Sequence, residues 1–166
     1  VATDLNNGIG KDNGIPFWSD MKFFKAMTLG HLVIMGRKTW EGLKERPLPG
    51  RINVVVSTTY DDGRWALTKE GERFYVFHSL TKAVDFAKQH FSNRKTFIIG
   101  GADLYKSAFE QNLVDTVLLS KIGCEADCDT FFPLNEAKLR ERFGPHKTLS
   151  IDNDTPEPVL RIQYGE

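Results

Sequence analysis

Three short apolar runs constrain this chain most: His31 to Met35 before Gly36, Ile52 to Val56 before Ser57 and Thr58, and Thr96 to Ile99 before Gly100 and Gly101. A strand with one wet face alternates apolar and polar residues. Unbroken runs belong in a sheet covered on both faces, which means parallel strands joined by helical crossovers. The helices are legible between them. Arg37, Lys38, Thr39 and Trp40 open one, Ser79 caps another from Leu80 to about His90 with Ala83, Val84, Phe86 and Ala87 on one face, and a third spans about Asp103 to Gln111. Asp20 to Leu29 has helical periodicity with Gly30 as its C-cap, and Leu5 to Gly14 has loop composition. Val1 to Asp4 reads as the tail of a strand, and further strands are read at Phe74 to Phe77, Thr116 to Ile122, about Phe143 to Asp152 and Val159 to Tyr164. The expectation is an α/β fold in one domain, residues 1–166: a mixed, mostly parallel central sheet, a C-terminal antiparallel strand pair, and helices on both faces. In such sheets ligands bind beyond the carboxyl ends of the parallel strands.

A chain of 166 residues buries a sizeable core, and its 22 basic and 22 acidic residues cancel, so a broad nucleic-acid surface is disfavoured. No apolar run reaches membrane-spanning length and nothing at Val1 resembles a signal peptide, which makes a soluble cytoplasmic protein the expectation. The abrupt start suggests a first strand truncated at its N-terminus. Cys124 and Cys128 lie in GCEADCDTFFP, where no companion Cys or His pair completes a metal site; reduced structural thiols fit better, and no metal is expected.

The stretch GIGKDNGIPFWSDMKFFKAMTLG, from Gly8 to Gly30, carries the chemistry. With Ser19 as helix cap, Asp20 lies four residues before Phe24 on one face, an acid among aromatic rings. A carboxylate there needs a donor, which suits a planar, protonated, nitrogen-rich ligand. The ordinary alternative is an acid favoured by the helix dipole with Phe23 and Phe24 as core. Two strand ends add phosphate seats, Gly36-Arg37-Lys38-Thr39 and Gly100-Gly101-Ala102, where glycine lets a ligand reach backbone N–H groups at a helix start.

Five stretches, GIGKDNGIPFW with Asp20, IMGRKTW, RPLPGR, FIIGGADLY and DTFFP, stand in the order and near the separations of dihydrofolate reductases. The chain resembles that family over essentially its whole length. The resemblance implies NADPH-dependent reduction of 7,8-dihydrofolate to tetrahydrofolate for one-carbon metabolism and thymidylate synthesis, with antifolates such as methotrexate as inhibitors. It makes Asp20 the acid that binds the pteridine and promotes N5 protonation, with Ser120 supporting it and Trp18 in the catalytic group. Val1, Ala2, Ile15, Phe24, Leu43, Leu48, Arg51 and Ile99 become substrate-binding, Arg51 gripping the glutamate carboxylate. NADPH falls to Ala2, Ile9, Gly10, Gly36, Arg37, Lys38, Thr39, Ser57, Thr58, Ile99, Gly100, Gly101, Ala102, Asp103, Leu104 and Tyr105, with Ser57 and Arg37 or Lys38 reading the 2′-phosphate.

Pro16 stands closer to the acid than is usual in the family, which leaves open whether Phe17 or Trp18 fills the usual tryptophan place; Ala102 replaces a third glycine. A reductase of the same fold acting on a ribosylated pyrimidine and a nucleotide-binding module without turnover are the competing readings. Retention of Asp20 and Ser120 argues against the second. The resemblance further implies a monomer, in some settings fused to a thymidylate synthase, without nucleic-acid or membrane partners.

Overall fold

The computed structural model describes residues 1–11, 20–60, 64–154 and 156–166, with the side chains of Arg64 and Trp65 also outside the description. In chain order the elements are β1 (Ala2–Thr3), β2 (Gly8–Gly10), α1 (Met21–Thr28), β3 (Leu32–Gly36), α2 (Arg37–Glu41), β4 (Ile52–Val56), β5 (Arg64–Leu67) and β6 (Arg73–Phe77). Then come α3 (Leu80–His90), β7 (Thr96–Ile98), α4 (Ala102–Glu110), β8 (Thr116–Ile122), β9 (Thr130–Phe131), α5 (Glu136–Phe143), β10 (Lys147–Asp152) and β11 (Val159–Gly165). The chain forms two compact units, Val1–Phe23 with Asn112–Glu166, and Phe24–Gln111.

The second unit holds a five-stranded sheet in the order β5-β6-β4-β3-β7. Its apolar runs β3 and β4 lie inside it, paired parallel to each other and to β7 and β6 respectively. Val33, Met35, Val55, Phe74 and Val76 form a core with Trp40, whose ring lies 4.5 Å from that of Phe74. Burying each such side chain contributes about 1.5–3 kcal/mol. The Ser79 cap is present, its Oγ accepting from the Lys82 N–H at 3.2 Å, and Phe86 of the apolar face packs its ring against Tyr75 and Phe77. α1 ends at Thr28; Gly30 behind it has φ 82°, but its N–H donates to the Gly50 carbonyl at 2.8 Å and not to the helix.

The first unit holds a four-stranded sheet, β1-β8-β11-β10, and the two-stranded β2-β9. The C-terminal pair is antiparallel as expected, and β1 runs parallel to β8. Four details correct the sequence reading. Gly8–Gly10, placed within a loop, is a strand paired with the unforeseen β9. β5 was also unforeseen; it pairs antiparallel with β6. Phe143 does not open a strand: it closes α5, and β10 begins at Lys147. The charge-rich α5 buries Leu139 alone, too little for an apolar stripe, and starts where the Asn135 side chain accepts from the Lys138 N–H.

Asp4 fixes the loop before β2. Its Oδ1 accepts from the N–H groups of Gly8 at 2.7 Å and Asn6 at 2.9 Å, and its Oδ2 from Ala126 at 3.0 Å. Burial pushes this carboxyl up, but the three N–H donors and the Cys128 thiol outweigh it and leave it below its ordinary value. A group so lowered stabilises the fold above the unfolded value near 3.8, and the contribution is lost as pH falls through the folded one. Asp4→Asn is therefore expected to cost about 2–4 kcal/mol at pH 7. Denaturant midpoints check this: the gap from wild type should shrink below about pH 4, and a gap constant with pH would refute the clamp.

Candidate active site

In the first unit the site is built on one row of the sheet. Register places Ala2 beside Ser120, Ser120 beside Arg161, and Arg161 beside Ser150, so these four side chains share a face. Asp20, just before α1, is 8% exposed and meets that row. Its Oδ1 accepts from the Arg161 Nη2 at 3.3 Å, while its Oδ2 takes no hydrogen bond from a described residue. Ser120 is buried in the row but makes no hydrogen bond to Asp20; Arg161, its register partner, does. The Val1 amine donates to the Leu118 carbonyl at 2.7 Å, and burial lowers it while the Asp20 charge works the other way. Ile9 and Gly10 lie on β2. Ile15 and Trp18, like Phe17, Pro16 and the expected cap Ser19, fall outside the described residues.

In the second unit the ends of β3 and β7 bring two glycine turns side by side. The Gly36 N–H donates to the Gly100 carbonyl at 2.9 Å, and the Ile99 N–H to the Ile34 carbonyl. The Gly100-Gly101 peptide is cis, and Gly100 has φ 129°, a conformation glycine alone adopts freely. Thr39 reaches the same place, its Oγ1 within 3.6 Å of where a Cβ on Gly101 would stand. α4 then starts at Ala102 with no side-chain cap bond, the kind of helix start whose N–H groups can accept an anion. Asp103 is exposed, Leu104 buried, and burial raises the Tyr105 phenol so that it stays protonated. Gly36 likewise caps α2 without a side-chain bond. Arg37 is turned to Glu41 at 2.9 Å, Lys38 is exposed, Ser57 is buried with its Oγ accepting from the Thr59 N–H, and Thr58 is exposed.

The same unit gathers Phe24, Leu43, Leu48, Arg51 and Ile99. Leu48 belongs to the core against which Phe24, Leu43 and Ile99 pack. Arg51 lies over the Phe24 ring at 5.8 Å, and donates to the Thr28 hydroxyl at 3.2 Å and the Pro49 carbonyl at 2.9 Å. Three residues that hold these groups were not foreseen. Thr28 steadies Arg51, and Arg161 holds Asp20. Asn53, 2% exposed, accepts from the Leu48 N–H and donates to the carbonyls of Leu48 and Arg51. A polar amide inside an otherwise apolar strand was the signal for Asn53. Thr28 gave none.

The family model described as dihydrofolate reductase matches residues 1–159 of this chain. The chain belongs to the dihydrofolate reductase family. It is 38% identical over 156 residues to a dihydrofolate reductase of Haemophilus influenzae, covering 92% of this chain and 89% of that one. It is 40% identical over 148 residues to one of Schistosoma mansoni, covering 80% and 75% respectively. A bifunctional dihydrofolate reductase-thymidylate synthase of Daucus carota is 38% identical over 148 residues, 81% of this chain but 27% of that protein. The chain thus spans under a third of such bifunctional relatives. Among the described residues no helix is long and apolar enough to cross a membrane, and no group of acidic, His and Cys side chains could hold a metal.

Proposed function

We propose that residues 1–166 act as a dihydrofolate reductase domain, reducing 7,8-dihydrofolate to tetrahydrofolate with NADPH. The observation that carries this reading is Asp20: a buried carboxylate with one oxygen held by Arg161 and the other unclaimed by any described residue. An acceptor in that state fits the amidine edge of a pteridine, taking N–H bonds from an amino group and a ring nitrogen. By binding that edge Asp20 favours the tautomer that takes a proton at N5, water delivering it. Bound NADPH supplies the hydride for the neighbouring carbon, C6. The Gly100-Gly101 turn and the α4 start hold its diphosphate; Lys38, Ser57 and Arg37 read its 2′-phosphate, which competes with Glu41 for the Arg37 guanidinium.

Arg51 grips the substrate's glutamate carboxylate, pre-aimed by Thr28, Pro49 and Phe24. Arg51→Leu should raise the substrate KM by about 10–100-fold with kcat nearly unchanged, since it removes a charge-assisted contact remote from the reacting atoms. Steady-state kinetics decide: a loss confined to kcat would contradict the assignment.

The function itself is tested by following reduced-nicotinamide absorbance with NADPH and 7,8-dihydrofolate, beside an NADH control and methotrexate. Rapid, methotrexate-sensitive oxidation preferring NADPH is expected. Binding of NADPH without turnover would overturn the reading in favour of a silent nucleotide-binding module or a reductase of another heterocycle.

A further inference from the structure

Arg161 is a costly residue to place where it stands. It lies in the middle of the four-stranded sheet, 7% exposed, between Ser120 and Ser150 in register. Its Nη2 donates to Asp20 at 3.3 Å and its Nη1 lies 3.9 Å from Asp152. The Nε is buried without a hydrogen-bond partner, and the guanidinium covers the Phe23 ring at 4.6 Å. Strand neighbours confine it on two sides and an aromatic ring on a third. At 7% exposed its guanidinium lies away from water, with its charge beside Asp20. Buried ion pairs add little net stability, and a buried orphan N–H subtracts some. Stability alone does not account for the arrangement.

Two carboxylates share this one cation. Asp152, about a third exposed, draws part of its field outward; the rest falls on Asp20. A ligand that brings its own positive charge to Asp20 therefore meets a carboxylate already partly neutralised, whereas a neutral ligand that only donates hydrogen bonds loses much less. We propose that Arg161 is a positioning and specificity-determining residue: it holds Asp20 by Oδ1, presents Oδ2 to the ligand, and shifts recognition from protonated heterocycles towards neutral ones. This rests on Asp20 being the ligand-binding acid, as argued above, and extends it to which heterocycles that acid favours.

The test compares two probes of one shape, a 2,4-diaminopyrimidine protonated on its ring and the neutral 2-amino-4-oxo analogue, by calorimetric Kd at a pH where the first is cationic. The Val1 amine, bonded to the Leu118 carbonyl, also feels the Asp20 charge but is common to all variants and cancels in the ratio of the two affinities. Arg161→Met should move the ratio about tenfold towards the cationic probe, and Arg161→Lys, which keeps the charge, should restore most of the wild-type ratio. Asp152→Asn, at a more exposed position, should move it about two- to threefold the other way by leaving the guanidinium wholly to Asp20. A merely structural Arg161 would weaken both probes alike. An unchanged ratio in Arg161→Met, or in Asp152→Asn should the first variant not fold, overturns the proposal. Failure of the wild type to bind either probe would instead remove Asp20 as the ligand acid, a result distinct from an unmoved ratio.

Discussion

Asp20→Asn should lower turnover by about 10²–10⁴-fold while NADPH affinity changes by less than about threefold. The amide keeps the shape of the carboxylate but offers one acceptor and no charge, so it cannot favour the pteridine tautomer that takes a proton at N5. The change also leaves Arg161 buried without its nearer anion, its other carboxylate lying at 3.9 Å. Some stability is lost as a result, and NADPH affinity serves as the control that the molecules counted are folded. Substrate already protonated at low pH should recover part of the rate, because the step Asp20 assists has then been made in solution. Single-turnover hydride transfer measured against pH reads both effects. Equal losses in turnover and in NADPH affinity would mean that Asp20 supports the fold rather than the reaction.

Asn53→Ala should be the most destabilising single change on the substrate side, at about 2–4 kcal/mol. It removes three hydrogen bonds at once and leaves the Leu48 N–H and carbonyl, both facing a dry strand, without their partner. The turn released is the one that carries Leu48 into the core and Arg51 to the Phe24 ring. Substrate KM should therefore rise with kcat little changed, resembling Arg51→Leu but with the stability loss added. Asn53→Asp should be no better, because a carboxylate has no donor for the carbonyls of Leu48 and Arg51. Urea unfolding gives the first quantity and steady-state kinetics the second. A loss below about 0.5 kcal/mol, the range of ordinary surface substitutions, would show that the turn holds itself.

Elements whose own residues settle their state were legible. β3 from Leu32 to Met35, and β4 apart from Asn53, are apolar because both faces are covered, and α3 declares itself through Ser79 and a stripe of apolar residues. α5 did not, since one buried leucine makes no stripe and its start depends on an asparagine cap. β2 and β9 are too short to carry a period, and each exists through pairing with the other. The glycine turns were readable because glycine marks backbone that something must approach.

Arg161 shows where such reading stops. In Val159–Gly165 the alternation puts Leu160, Ile162 and Tyr164 on one face and Val159, Arg161 and Gln163 on the other, so arginine reads as the wet side of an edge-like strand. The strand instead runs between β8 and β10, and the face that looks polar is the one that meets Asp20. By itself the sequence determined the elements with strong periods, the glycine turns and the acid, because local pattern and backbone freedom are properties of neighbouring residues. The partner of that acid, the clamp made by Asn53 and the pairing of β2 with β9 were decided by tertiary structure alone. Each depends on which strand becomes the neighbour of which, and hydrogen bonds between residues as far apart as 20 and 161 leave no trace in the local sequence of either.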